Sequence, residues 1–81
     1  MTELLFPALG RRPAGRSPVR GVLVRWLVAD GSTVHVGDRL AEVRSAGDLV
    51  GWVPALATGT LWHQVRAGEV LCAGAVVGLI D

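Results

Sequence analysis

The fold is decided by residues 21–43, which read GVLVRWLVADGSTVHVGDRLAEV. Side chains alternate with a period of two residues through the opening of this stretch, and that period is typical of a β-strand. Asp30 and Gly31 then form a turn dipeptide, because glycine takes a positive φ angle without steric cost. Another turn follows at Gly37, and residues 40–43 return as a strand. The stretch therefore predicts strand, turn, short strand, turn and strand, with almost no helix.

The same order recurs in residues 59–80, which read GTLWHQVRAGEVLCAGAVVGLI. Neither half can bury its apolar face alone, so we expect the halves to close against each other about an approximate twofold axis. The predicted fold is all-β, a flattened barrel or sandwich of two quasi-twofold-related four-stranded antiparallel sheets. With one deletion near Asp30, the paired glycines are Gly21 with Gly59, Gly31 with Gly68, and Gly37 with Gly74.

The chain has 81 residues, which suffices for one small domain, 1–81, and 51% of them are apolar. The net charge of +1 does not indicate nucleic-acid binding, and a single cysteine, Cys72, leaves no internal disulfide. The start Met1-Thr2-Glu3 lacks the basic charge of a signal peptide, and the longest uncharged apolar run is too short to cross a bilayer. We therefore expect a soluble, cytoplasmic protein.

Residues 44–53 join the two halves, and the segment Ser45-Ala46-Gly47-Asp48 between two apolar runs predicts a hairpin tip. The frame of FPALG, DGxxVxxGDxL, EV, hairpin, VP, GxL and a closing LID resembles the lipoyl domain of 2-oxo acid dehydrogenase acyltransferases. Biotinyl carriers and glycine-cleavage carrier proteins share this frame. The resemblance covers residues 4–81 and implies the lipoyl/biotinyl hammerhead-like fold, with the 44–53 hairpin at the place of the cofactor-bearing one.

The same resemblance implies a cofactor-bearing lysine at the hairpin tip, but all eight basic residues of this chain are arginine. The acceptor position falls near Ala46 or Gly47, and neither residue has a side-chain nucleophile. Because guanidinium groups stay protonated and are poor nucleophiles, we predict no lipoate or biotin, and no other cofactor. A group carrier with an unconventional attachment residue stays open as an alternative, through Ser45, Cys72 or the N-terminal amine.

Residues 10–21 form a predicted Arg- and Pro-rich surface loop that is longer than the matching loop of lipoyl domains. The loop has four arginines and no acid, whereas the rest of the chain has four arginines and seven acids. The ordinary interpretation is a solvated loop. The functional one is docking on an acidic protein surface or on phosphate, because the planar arginine fork makes bidentate contacts with both. The candidate docking residues are Arg11, Arg12, Arg16 and Arg20.

Two further docking candidates lie at the hairpin, Asp48 in the tip and Trp52 in the apolar segment after it. The ordinary interpretation of Asp48 is a turn residue that bonds backbone amides. Trp52 either packs inward beside Pro54 or serves as an exposed aromatic anchor, the residue type that dominates interface energetics.

The remaining candidates have ordinary interpretations. We expect Trp26 and Trp62 in the core or at its edge, and Cys72 as a half-buried thiol away from the tip. His35 and His63 have no ligand spacing around them, so we predict surface or hydrogen-bonded histidines and no metal site.

No nucleophile–base pair, phosphate loop or metal constellation is visible, so we predict a protein that is not an enzyme. The leading hypothesis is a docking, scaffolding or accessory subunit of a larger enzyme, such as the thiamine-dependent decarboxylase or acyltransferase that the resemblance implies. The alternatives are the unconventional carrier and a component whose hairpin completes a partner's active site. The sheet edges also allow pairing with another copy, and no nucleic-acid or membrane partner is predicted.

Overall fold

Eight β-strands and no helix form the described part of the chain, which in this computed structural model comprises residues 1–9, 20–45 and 47–81. The strands are β1 (Thr2–Leu5), β2 (Arg20–Trp26), β3 (Thr33–Val34), β4 (Arg39–Ser45), β5 (Val50–Pro54), β6 (Gly59–His63), β7 (Val70–Cys72) and β8 (Val76–Ile80).

The strands form two four-stranded antiparallel sheets, with the orders β1-β8-β6-β3 and β5-β4-β2-β7. Each sheet takes two strands from the first half of the chain and two from the second. The halves are therefore interleaved, and neither has a complete sheet of its own. This arrangement confirms the predicted all-β fold, a flattened sandwich.

Reciprocal hydrogen bonds between the halves reflect the internal repeat. Gly31 N donates to Leu61 O at 2.7 Å, and its counterpart Gly68 N donates to Leu23 O at the same distance. The two glycines have φ angles of 83° and 92°, which glycine adopts without the strain of a side chain. The turn glycines thus tie the turn after β2 to β6 and the turn after β6 to β2, which explains why they repeat at equivalent positions.

The core lies between the sheets, and both halves contribute to it. Inward-facing residues alternate with outward-facing ones along the strands, as a period of two requires. Satellite apolar side chains, including Leu9 and Trp26, pack against the edge of this core. The buried apolar residues are Leu4, Phe6, Leu23, Val34, Leu40, Ala41, Val43, Val53, Ala55, Leu61, Val77 and Ile80.

Two details differ from the sequence-based expectations. Arg20 and Gly21, which we expected in the Arg/Pro-rich loop, are the first residues of β2, where Gly21 pairs with Ser45. Trp62 is 42% exposed rather than part of the core, because Leu61 beside it points inward and alternation then turns Trp62 outward. Among the described residues, no helix is long and apolar enough to span a bilayer.

Candidate functional site

Backbone hydrogen bonds close the hairpin between β4 and β5 at its tip. Ser45 N donates to Leu49 O at 2.8 Å, and Asp48 N donates to Ser45 O at 3.0 Å, so the strands are closed by a short turn. Asp48 has a φ angle of 62°, a left-handed conformation that aspartate tolerates better than most residues. The described residues Ser45, Gly47 and Asp48 therefore lie where β4 turns into β5.

Ser45, rather than Asp48, bonds the backbone amides of the tip. Its Oγ accepts hydrogen bonds from Gly47 N at 3.3 Å and from Leu49 N at 3.2 Å. The Ser45 residue is only 8% exposed. A hydroxyl that is buried and already engaged in two hydrogen bonds is poorly placed to carry a covalent group, which weighs against attachment at Ser45.

The position equivalent to the carrier lysine has no reactive group. Gly47 is exposed and lies in the turn, while Ala46 lies outside the described residues. Asp48 and Leu49 beside them are also exposed. Among the described residues of the tip, none has an amine side chain that could accept an acyl group.

Trp52 lies on the outer face of its sheet rather than in the core. Val53 next to it is buried at 1% exposure, so the alternation of β5 turns Trp52 outward, where it stands opposite Glu42 of β4. The guanidinium carbon of Arg39 lies 4.8 Å from the centre of a Trp52 ring, within cation–π range. Trp52 is half-buried beneath this arginine, so it is neither an inward-packed core residue nor a fully exposed anchor.

Only one of the four predicted docking arginines is in the described part of the chain. Arg20 is exposed at the start of β2, whereas Arg11, Arg12 and Arg16 lie outside the described residues. Leu9 and Arg20, the described residues on either side of residues 10–19, both lie near the hairpin. Leu9 packs on Gly51 of β5, and Arg20 precedes Gly21, which pairs with Ser45.

Cys72 lies on the edge strand β7, which β2 separates from β4 of the hairpin. It pairs with Arg20 across β2 and β7, and Gly21, the next residue of β2, pairs with Ser45 at the base of the tip. The sequence did not reveal this neighbourhood because the pairing of β2 with β7 crosses from one half to the other. Cys72 is half-buried, as expected.

Trp26 of one sheet and His63 of the other form a stacked aromatic pair that we did not predict from the sequence. The rings of Trp26 and His63 lie 3.8 Å apart with an interplanar angle of 8°. Trp26 Nε1 donates to Val65 O at 3.0 Å, and His63 Nε2 lies 2.9 Å from Val28 O. Asp30 Oδ1 also accepts from His63 N at 2.7 Å.

This stack borders a groove of about 410 Å³ formed largely by residues 63–67. Its hydrogen bonds fasten the turn after β2 to the end of β6, so we assign the pair a structural role. No local pattern in the sequence signals this pair, because only the crossing of the halves in the fold places the end of β2 beside β6. No group of three or more His, Cys, Asp or Glu residues that fits a metal ion occurs among residues 1–9, 20–45 and 47–81.

Comparison with models of known protein families gives no match, and comparison with curated protein sequences gives no significant match. The resemblance to lipoyl carriers accordingly rests on the glycine and valine frame of the sequence. The two-sheet architecture is compatible with that frame but does not by itself assign a function.

Proposed function

We propose that this chain is a non-catalytic, carrier-like module that docks on a larger enzyme as a scaffolding or accessory subunit. The observation that carries the proposal is the hairpin tip. Its turn is closed and the Ser45 hydroxyl oxygen accepts two backbone amides that hold it, yet Gly47 in the turn offers no nucleophile. An exposed loop without a residue to which a cofactor could be attached is suited to binding another protein rather than to transferring a group.

The residues that follow the tip support contact with a protein. Leu49 is 49% exposed and Val50 is 52% exposed, and the half-buried Trp52 lies two residues further along β5. Exposed apolar side chains next to an aromatic residue and an arginine are typical of the energetic centre of protein interfaces. Arg39, stacked over Trp52, supplies that arginine.

The resemblance to lipoyl domains suggests what kind of enzyme the partner is. Lipoyl domains present their hairpin to thiamine-dependent decarboxylases and acyltransferases, so an enzyme of that acyl-transfer type is the partner class we propose. The predicted docking residues Arg11, Arg12, Arg16 and Asp48 enter the proposal as sequence-based candidates.

Affinity capture from a lysate of the source organism, with the bound proteins identified by mass spectrometry, tests this proposal. We expect an enzyme subunit in a fixed ratio to the bait, and we expect its recovery to fall when Trp52 is replaced by alanine. Trp62→Ala is the matched control, because Trp62 is an exposed tryptophan on the other sheet.

The intact mass of the chain isolated from its own cells separates docking from group transfer. A mass equal to that of the bare polypeptide agrees with docking. A covalent adduct on Cys72 or on the N-terminal amine, together with no captured enzyme, would replace the docking proposal with the unconventional carrier.

A further inference from the structure

The outer face of the β5-β4-β2-β7 sheet has a row of side chains that are apolar except for one arginine. Cross-strand pairing sets Val70 beside Val22, Val22 beside Arg44, and Arg44 beside Val50, so the row runs across all four strands. Their neighbours Leu23 and Val43 are fully buried, so alternation turns this row to the outside. Val50 is 52% exposed and Val70 is 68% exposed.

Arginines surround this row. Arg20 starts β2, Arg44 lies within the row, and Arg39 covers Trp52 on the same face. Arg25 is also on this face, and its guanidinium Nη2 lies 3.1 Å from a carboxylate oxygen of Glu42. Among the described residues, Glu42 is the acid that the strands of this sheet contain, so the face has an excess of positive charge.

The fold does not require these arginines. The internal repeat relates each outward position here to one on the β1-β8-β6-β3 sheet, where the counterpart of Arg44 is Asp81 and that of Arg39 is Val76. The strands of that sheet contain no arginine and one acid, Glu3. Two sheets of the same architecture thus differ in charge, which points to a role for the arginine-bearing face beyond folding.

A shallow pocket lies between Arg20 and Arg44. Its volume is about 200 Å³, and Val22 and Val70 form part of its wall together with backbone of Gly21. Binding sites for drug-sized molecules usually occupy about 300–1,000 Å³, so this pocket suits one side chain better than a cofactor. Charge lies at its rim and apolar surface inside it.

We propose that this face binds an acidic segment of a partner protein, in which carboxylates flank one apolar side chain. The apolar side chain enters the pocket against Val22 and Val70, and the carboxylates pair with Arg20 and Arg44. Arginine favours this partner because its planar guanidinium makes bidentate bonds with carboxylate. The inference rests on the proposed docking function and extends its surface from the hairpin across the β5-β4-β2-β7 sheet to Arg20 and Val70.

The charge of the face argues against a second copy of this chain as the occupant. Two such faces brought together would set arginine against arginine, which costs free energy at an interface. The opposite sheet of a second copy offers two carboxylates among the described residues, Glu3 in β1 and Asp81 directly after β8. An acidic segment with several carboxylates supplies more complementary charge than either arrangement.

Nuclear magnetic resonance tests the proposal with the full chain labelled with ¹⁵N. The probe is a synthetic peptide of alternating glutamate and leucine, and the reference peptide has glutamine in place of every glutamate. We expect the glutamate peptide to shift the amide signals of Val22, Arg44 and Val70. Arg44→Glu and, independently, Arg20→Glu should each weaken binding about tenfold, because each removes a charge-assisted contact and adds repulsion.

Arg66→Glu is the control, because it makes the same charge change at an exposed arginine that lies outside the strands of this sheet. Binding that survives both Arg44→Glu and Arg20→Glu overturns the proposal, as does equal binding of the glutamine peptide. Absence of binding at millimolar peptide also overturns it. A single-stranded DNA oligonucleotide that binds this face more tightly than the peptide would assign the arginines to phosphate instead.

The two proposals fail separately. If an enzyme captured from lysate still binds the Arg44→Glu and Arg20→Glu variants but not the Trp52→Ala variant, docking stands and the acidic-segment site is wrong. If the peptide binds as expected and no enzyme is captured, the face recognises acidic segments and the proposal of docking on an enzyme is wrong.

Discussion

Gly21 and Gly59 occupy equivalent places in the two halves and make equivalent close approaches. A β-carbon on Gly21 would lie 2.6 Å from the carbonyl oxygen of Arg44, and one on Gly59 would lie 2.6 Å from that of Asp81. The repeat relates Arg44 to Asp81 just as it relates the glycines. Each glycine lets a central strand lie against its neighbour without a side chain in between.

Alanine at Gly21 or at Gly59 should therefore destabilise the fold strongly. The new methyl group meets a backbone oxygen that cannot rotate away, and overpacking of this kind costs about 1–3 kcal/mol. Gly74→Ala is the control, because nothing lies within 4 Å of a β-carbon there and only its φ of 92° opposes the change. Urea denaturation measures the free energies of unfolding. If Gly21→Ala is no more destabilising than Gly74→Ala, the close approach is not what selects glycine.

Most of the fold was predictable because turn glycines and strand alternation are local signals. The repeat revealed by Gly31 and Gly68 predicted two related halves, and the structure confirms the sheets. The repeat did not reveal that the halves are interleaved. Pairing of β2 with β7 joins residues about fifty positions apart in sequence, and no local pattern encodes it.

Replacing His63 with alanine should destabilise the protein by about 2 kcal/mol, through the loss of the stacked contact and of one hydrogen bond. His63 covers the Trp26 ring at 3.8 Å and bonds Val28 O at 2.9 Å. His35→Ala is the matched control, since His35 is exposed and should change stability by less than about 0.5 kcal/mol. Equal midpoints for the two variants in thermal or urea unfolding would show that the stack contributes nothing measurable.

Ser45→Ala should loosen the hairpin tip and cost about 1 kcal/mol, because the Gly47 and Leu49 amides lose their acceptor but can turn to water. Amide hydrogen exchange at Gly47 and Leu49 should become faster, while exchange in the centre of β4 stays the same. Ser32→Ala serves as the control, since no side-chain hydrogen bond of Ser32 is formed within the described residues. Unchanged exchange at the tip in Ser45→Ala would mean that the backbone bonds alone hold the turn.

Arg39 and Trp52 should be energetically coupled. A double-mutant cycle with Arg39→Ala and Trp52→Ala should give a coupling free energy of about 0.5–1 kcal/mol, the usual range for a cation–π contact that is open to water. The same cycle with Arg66→Ala in place of Arg39→Ala should give a value near zero, because Arg66 lies in the turn before β7. If the two cycles agree, the 4.8 Å contact is adventitious and Trp52 is free to meet a partner without displacing Arg39.

The functional surface was harder to predict than the fold. The sequence placed Trp52 at the hairpin but left its direction open, since both inward and outward positions suit an aromatic residue in a strand. The direction was fixed by the burial of Val53 beside it. The excess of arginine on one sheet was also invisible in the sequence, because Arg20, Arg39 and Arg44 come together only through the pairing of separate strands.

Gly47→Lys should turn the tip into a substrate for lipoate ligase if the resemblance to lipoyl domains is functional. A β-carbon at Gly47 meets only Ser45 Oγ, at 3.8 Å, so the side chain fits without strain and projects from an exposed turn. Co-expression with the ligase and lipoate, followed by intact mass measurement, should show one added lipoyl group. Because lipoyl domains usually have aspartate before the lysine, the double variant Ala46→Asp with Gly47→Lys should be modified more completely. Gln64→Lys, an exposed lysine far from the tip in sequence, should stay unmodified. Folded tip variants that remain unmodified would restrict the resemblance to architecture, and the partner would then have to be sought outside the acyl-transfer enzymes.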